Sequence, residues 1–487
     1  MAFPIIYENE VLGVIEFFSK NILPPKNDLL LWFESIGNQF GLFLIRKHME
    51  KQMLYLAEHD ALTGLSNRAL LEQYLSTALT NAKESSQKLA ILFLDLDHFK
   101  YINDSMGHQA GDLLLKELSN RFRQCLRPED TISRFGGDEF IIILTDIHQN
   151  GEIIEIIGRL QKQLSRPIIL KEKEISIKAS IGVSLYPKDG DTVQTLIKGA
   201  DIAMYAAKER GRNNFQFCTP DMTSKAENRG ILLNNLRYAL KNNEFVLYYQ
   251  PKMDVATQRV IGMEALIRWK RPNNVLLPGY FISAAEDSDL IDPLCEWVIK
   301  AACIQNKLWQ SAGLPTISIS VNLSVRNLNK NILQVIDKVL KETNLKPNSL
   351  EVEITESALM ENVENNIEVL RNLKEMGLKI SIDDFGTGYS SLSYLKRFPI
   401  DTIKIDQSFV RDIATDPDDA AIVNAIIVMA HSLGFRVIAE GVETEDQLKF
   451  LCDHDCDEIQ GFYFGRPLPS GEAMHFIKNT DQRWNIN

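Results

Sequence analysis

Lys379-Ile380-Ser381-Ile382-Asp383-Asp384 is a short apolar strand that ends on two adjacent carboxylates. The same form recurs on both sides of it. Ile261–Arg268 holds Glu264, Ile317–Leu323 holds Asn322, and Leu350–Glu356 holds Glu353 and Glu356. Further on, Thr402–Asp406 holds Lys404, Arg436–Glu440 ends in Glu440, and Glu458–Gly461 holds Gln460. Strand-like runs separated by helix-length segments, over about 250 residues, predict a (β/α)8 barrel. The carboxyl ends of parallel strands form one mouth, so these polar groups converge there. A single acidic residue at a loop start needs only a wet loop to explain it; seven consecutive strand ends need more. Five carboxylates in one cavity repel one another unless cations neutralise them. An oxygen-rich set with one amide and no cysteine suits Mg2+ or Mn2+. An Asp shared by two ions about 3.5–4 Å apart is the arrangement that splits phosphodiesters.

The whole chain has 487 residues, 53 basic against 65 acidic, for a net charge of −12. With 45 % hydrophobic and 24 % charged residues it has ordinary globular composition, and its length predicts roughly three units. The acidic balance argues against a nucleic-acid polymer or an anionic membrane as partner, since both demand a basic face. Six scattered cysteines form no secreted disulfide framework. Met1 to Glu10 has no basic segment followed by an apolar stretch, and the apolar run Leu29–Ile45 is broken by Glu34, Asn38 and Gln39. Neither a secretory signal nor a membrane span is therefore expected, and a cytoplasmic location is.

Residues 1–46 contain a strand-like run, Val11–Phe18, a break at Pro24-Pro25 and a helical pattern over Leu29–Ile45. Such a unit is too small to close a core alone. It resembles the last strand and helix of a GAF-type sensor domain; an amphipathic extension of the next domain is the other reading. Leu42, Ile45, Met49, Gln52 and Leu56 recur at heptad spacing along the connecting helix, 47–58. They suit either a parallel helix pair between two protomers or one helix lying on its own domain.

Residues 59–218 alternate strand and helix patterns. Leu89–Leu96, Thr131–Phe135, Phe140–Leu144 and Ser176–Leu185 read as strands, and Gly111–Cys125 and Leu196–Glu209 as helices. The order predicts an α+β, palm-like sheet with helices on one face. Cys218–Gly230, polar and opened by Pro220, reads as the boundary to the barrel, 229–480. The first strand ends in Asp95-Leu96-Asp97, and the turn Gly136-Gly137-Asp138-Glu139 follows about 40 residues later. Carboxylates at a strand end suit a hard cation bridging phosphates, and glycines let backbone approach a ligand.

Asp60-Ala61-Leu62-Thr63-Gly64-Leu65, Asn67-Arg68, Asp95-x-Asp97-x-Phe99-Lys100, Asn103-Asp104, Gly107-His108, Gly111-Asp112, Arg134-Phe135 with the Gly-Gly-Asp-Glu-Phe turn, and Ala200-Asp201 through Asn213 together resemble the GGDEF diguanylate cyclase family. That family condenses two GTP molecules, one per protomer of a homodimer, into cyclic di-GMP. The resemblance implies Asp95 and Asp138 as metal ligands for one or two ions and Glu139 as a second essential acid. It implies Asn103 and Asp112 as guanine readers, by donor–acceptor complementarity. Lys100, Lys208 and Arg212 are implied as triphosphate clamps, the last two four residues apart on one helix face. Arg127 and Asp130, at their offset from Gly136, match the family's product-inhibition site.

Tyr249-Gln250-Pro251, Glu264-Ala265-Leu266, Arg268-Trp269, Asn322-Leu323-Ser324, Glu353-Ile354-Thr355-Glu356, Asp383-Asp384-Phe385-Gly386, Lys404-Ile405-Asp406, Glu440-Gly441-Val442-Glu443 and Gln460-Gly461 resemble the EAL phosphodiesterase family, a TIM-like barrel that opens cyclic di-GMP to linear pGpG. The resemblance implies that Glu264, Asn322, Glu353 and Asp383 hold one metal and that Asp383, Asp384 and Glu440 hold the other. Lys404 is implied at the water and the scissile phosphate, Glu443 and Gln460 in the water network, and Gln250 and Arg268 at the substrate. Glu356 is implied as anchor of the loop Asp384–Leu395, which is expected to tie metal binding to dimer contacts. Three functions follow for comparison: a bifunctional enzyme, a phosphodiesterase with a GTP-binding regulatory domain, and a receptor without turnover. The last requires broken metal ligands, and none is broken.

Overall fold

The computed structural model of the chain describes residues 2–7, 10–16, 18, 27–170, 173–360, 362–387 and 392–479. The chain divides into two compact units, Met1–Asn228 and Arg229–Asn487.

In the first unit β1 (Ala2–Tyr7) and β2 (Glu10–Glu16) form an antiparallel ribbon, and Phe3 stacks on Phe33 of α1 (Asn27–Glu58), ring centroids 4.9 Å apart. The expected helix and connector are thus one helix of 32 residues. The break at Pro24-Pro25 lies outside the described residues. Then follow α2 (Arg68–Ser85), β3 (Lys88–Leu96), α3 (Phe99–Met106), α4 (His108–Arg123), β4 (Thr131–Gly136), β5 (Glu139–Ile147) and α5 (Asn150–Leu164). A small ribbon, β6 (Ile168–Leu170) with β7 (Lys173–Ile175), precedes β8 (Ala179–Tyr186), α6 (Val193–Glu209) and β9 (Phe215–Phe217). The sheet order is β4-β5-β3-β8-β9, antiparallel except for β8–β9.

Helices cover both faces of this sheet, which corrects the one-face expectation. Leu92 and Leu94 of β3 join a core with Leu114, Leu118 and Ile157 of α4 and α5. Ile91 and Phe93, pointing the other way, join Leu71, Leu75 and Met204 of α2 and α6. The reason is in β3 itself: an uninterrupted apolar run from Leu89 to Leu94 has no polar face to give to water.

The polar stretch read as a boundary is helical, since α7 spans Pro220–Lys241. Polar side chains three and four apart, such as Lys225 with Asp221, support a helix that buries little.

In the second unit β10 (Phe245–Asp254) and β11 (Arg259–Lys270) form a hairpin, and β12 (Val275–Leu276) adds to the far end of β11. The barrel continues through α8 (Ile282–Glu286), α9 (Ile291–Ser311), β13 (Ser318–Asn322), α10 (Lys330–Thr343), β14 (Leu350–Thr355), α11 (Glu356–Met360), α12 (Val363–Glu375), β15 (Lys379–Phe385), α13 (Leu392–Leu395), β16 (Thr402–Ile405), α14 (Gln407–Arg411), α15 (Pro417–Ser432), β17 (Arg436–Ala439), α16 (Glu445–Asp453) and β18 (Glu458–Ile459). Seven neighbouring strands from β11 to β18 run parallel, and β10 closes the circle antiparallel to both ends. The barrel is therefore not all-parallel as expected: a hairpin supplies its first strand. Valines, isoleucines and leucines such as Leu350, Val352, Ile380 and Ile403 pack in the core shared with the surrounding helices, while Glu351, Glu353 and Lys404 alternate with them and point inward.

Candidate active sites

In the barrel, Lys404 organises the mouth. Its ammonium is buried and lies 2.6 Å from Glu353 Oε2, 2.6 Å from Glu440 Oε1 and 2.9 Å from Asp383 Oδ1, with Glu264 Oε2 at 3.9 Å. Each group arrives from a different strand end, so backbone packing fixes the cluster. Asn322 donates to Glu264 Oε1 (2.7 Å) and Gln460 donates to Glu264 Oε2 (2.6 Å) and Gln250 Oε1 (3.2 Å). Asp383, Asp384 and Glu440 bring carboxylate oxygens within 4.8 Å of one another, the one such group of possible cation ligands among the described residues. Glu356, 2 % exposed at the start of α11, accepts the N–H of Gly386 (2.8 Å) and so pins the chain just beyond Asp384. The onward loop, residues 388–391, lies outside the described residues.

Electrostatics here favour protonation or a bound cation. Burial, joined by repulsion from Asp383 and Glu264, outweighs Lys404 and pushes the Glu440 carboxyl up to about 8. Burial with repulsion from Asp383 and Asp406 pushes Asp384 up to about 6. Glu353 goes the other way: burial opposes its charge, but Lys252 and Lys404 hold it well below the usual carboxylate range. Five carboxylates facing two ammonium groups leave negative charge unbalanced, and an all-oxygen donor set with one amide fits hard divalent ions.

Two expected participants stand apart from this mesh. Arg268 donates to the Ile267 carbonyl (2.9 Å) and lies over the Tyr248 ring. Glu443 is exposed, with its backbone N–H held by Gln447. Conversely, the sequence reading missed Lys252, buried beside Glu353 and Glu351, and Glu458, pushed up to about 7 chiefly by burial. Lys252 lies in β10 between Pro251 and Met253, a largely apolar stretch.

In the first unit, β3 and β5 place Asp95 opposite Glu139, and the Asp138 carbonyl accepts from the Leu96 N–H (3.4 Å). Asp95 meets the Lys208 ammonium at 2.8 Å. Burial raises Asp95 despite Lys208, and burial with Asp95, Asp201 and Asp138 raises Glu139. Asp97, by contrast, accepts from Ser180 Oγ and the Asn213 N–H, which ties strand to loop. Asn103 on α3 packs on Gly111 of α4, next to the exposed Asp112, and its Oδ1 is buried without a partner. Lys100 is exposed at the start of α3. Arg212 does not share a helix face with Lys208: α6 ends at Glu209, and Arg212 takes φ +59° just after Gly211. A glycine at that point stops the helix, so four-residue spacing no longer means one face. Asp130 accepts from the Arg127 backbone N–H (3.0 Å), while the Arg127 guanidinium reaches Glu152 at 3.5 Å.

Comparison with known proteins follows the same division. Residues 57–214 match the family model "Diguanylate cyclase, GGDEF domain" and residues 233–467 match "EAL domain". Neither extends to residues 1–46. The chain is 42 % identical over 426 residues to the bifunctional diguanylate cyclase/cyclic di-GMP phosphodiesterase MucR of Pseudomonas aeruginosa, covering 87 % of this chain and 62 % of that one. It is 41 % identical over 433 residues to the cyclic di-GMP phosphodiesterase NbdA of the same organism, covering 88 % and 55 %. The chain thus spans little more than half the length of these relatives. Among solved structures, the EAL enzyme Bd1971 in its cAMP- and cyclic-di-GMP-bound form is 25 % identical with a TM-score of 0.52, over 70 % of this chain and 81 % of that one.

Proposed function

Since the chain belongs to the family that joins a GGDEF domain to an EAL domain, we propose that it turns over cyclic di-GMP: the barrel hydrolyses it to linear pGpG, and the GGDEF domain condenses two GTP to make it. The observation that carries the hydrolytic reading is the convergence of Glu264, Glu353, Asp383 and Glu440 on Lys404, with Asp384 beside them. Glu264, Asn322, Glu353 and Asp383 would hold one ion, and Asp383, Asp384 and Glu440 the other. Mg2+ or Mn2+ bound there supplies Lewis acidity toward water and the phosphodiester. The chain's own groups do the rest. Lys404 brings a fixed positive charge to the phosphate and is itself held by Asp383 and Glu440, and Gln460 is oriented for water by Glu264. Arg268 and Gln250 border the substrate, and Glu443 extends the water network.

The synthetic reading rests on the palm-like sheet, with Asp95, Asp138 and Glu139 at one end of its interior strands β3 and β5, and on the buried Asn103 Oδ1, an acceptor suited to a guanine N–H. Lys100, Lys208 and Arg212 would neutralise the triphosphate, and Arg127 with Asp130 would bind product. Domain limits of 1–46 (GAF-like), 47–58, 59–218 and 229–480, a cytoplasmic location and a homodimer complete the reading. No described helix is long and apolar enough to cross a membrane.

The purified chain, given Mg2+ and either GTP or cyclic di-GMP, should yield cyclic product from the first and linear product from the second. Asp138→Ala should abolish only the first conversion and Asp383→Ala only the second, by separation of the nucleotides. Full activity in either variant would refute the site it tests, and linear product alone would leave the GGDEF domain a GTP-binding regulator.

A further inference from the structure

Inside the barrel, below the cation centre, lies a second ammonium. Lys252 belongs to β10, the strand that runs against the other seven, and its side chain is 1 % exposed. Its Nζ lies 2.5 Å from Glu353 Oε1 and 3.3 Å from Glu351 Oε1. The other oxygen of Glu353, Oε2, meets Lys404 at 2.6 Å. A carboxylate gripped at both oxygens cannot rotate about its terminal torsion without breaking a pair. Glu351, two residues earlier on the same inward face of β14, is in turn held by the Ser381 hydroxyl.

Charge compensation alone would explain an ammonium between two buried carboxylates. It does not explain the difference in distance. Lys252 sits tightly on the oxygen of Glu353 that faces away from Lys404 and only loosely on Glu351. We propose that Lys252 is a positioning residue for the cation centre: by holding Glu353 Oε1 it keeps Oε2 turned toward Glu264, Asp383 and Glu440, and thereby sets how tightly that centre takes a divalent cation. This rests on the proposed reading of the barrel as a divalent-cation phosphodiesterase.

The test is calorimetric titration of the full chain with Mn2+, alongside thermal unfolding and cyclic di-GMP hydrolysis at rising Mn2+. Lys252→Met alone would leave the buried Glu351 without a cation and Glu353 with Lys404 alone, and invite misfolding. The informative variant is therefore K252M/E351M, which removes one charge of each sign. It should unfold cooperatively like the wild type, bind Mn2+ about 10–100-fold more weakly, and regain hydrolysis as Mn2+ is raised. Wild-type Mn2+ affinity in folded K252M/E351M would reduce Lys252 to charge compensation and overturn the proposal. Should the double variant not fold, K252Q carries the same test, with weakened Mn2+ binding expected and unchanged binding overturning the proposal. A wild-type chain that neither binds Mn2+ nor cleaves cyclic di-GMP would instead refute the reading of the barrel on which this one stands.

Discussion

Glu440 and Asp384 are the mouth carboxylates whose protonation falls within reach of neutral pH. An ordinary glutamate titrates at 4.5, whereas burial and like-charged neighbours move Glu440 to about 8 and Asp384 to about 6. Between the unfolded and folded values the native chain holds more protons than the unfolded one, so stability is lost as pH rises, through 3.8 to about 6 for Asp384 and 4.5 to about 8 for Glu440, and fully above that. A divalent cation removes that penalty by binding the ionised forms. Mg2+ or Mn2+ should therefore raise the midpoint of thermal unfolding more at pH 8.5 than at pH 5.5, and bind more tightly at the higher pH. Equal shifts at both pH values would show that these carboxylates do not face the cation. Residues like these were readable in advance because a carboxylate at the end of an apolar strand stands out by chemistry alone. Lys252 was not, since a lysine within β10 reads as a solvated strand end until the barrel closes around it.

Helix α6 packs along strand β8, where Ser184 Oγ donates to the Leu196 carbonyl (2.6 Å), and Gly182 lets the two backbones approach. A Cβ on Gly182 of β8 would stand 1.9 Å from the Ala200 carbonyl and 2.1 Å from the Met204 nitrogen, both backbone atoms of α6. Neither can yield, so Gly182→Ala must push the helix off the sheet. Overpacking of this kind costs roughly 1–3 kcal/mol, and here it also displaces Lys208 from Asp95. The variant should lower the denaturation midpoint of the first unit and lose cyclic product from GTP, while hydrolysis in the barrel continues. Normal synthesis by a stable G182A chain would contradict the contact. The seven strands from Ile261 to Gly461 were legible because each couples an apolar run to a polar end. The direction of β10 was not, because a hairpin and a crossover place the same apolar pattern in the wall. The second helical layer on the β3 sheet was written in the unbroken run Leu89–Leu94, whose period could not say which helices would cover which face.

At the scale of the molecule, an apolar surface on α1 is not taken up by the core of its own unit. Along α1, Trp32, Leu42, Phe43, Met49, Met53, Leu54 and Leu56 are exposed, Trp32 and Met53 by 73 % and 70 %. Exposed apolar patches of this extent mark an interface, and the seam Leu42, Ile45, Met49, Gln52 and Leu56 has the heptad spacing of a helix pair. A second copy is the partner that the proposed synthesis would require, because joining two GTP molecules head to tail needs two GTP-bearing sheets face to face. The charged groups that meet at Lys404 all come from one chain, so the proposed hydrolysis needs no second sheet, whatever the loop after Asp384 adds through dimer contacts. Charges placed in the seam should therefore separate the two chemistries. The variant M49E/L56E should sediment as a monomer where the wild type sediments as a dimer, lose cyclic product from GTP, and still open cyclic di-GMP to the linear form. Persistence of the dimer would move the interface elsewhere, and a monomer that still makes cyclic product would break the link between this helix and synthesis.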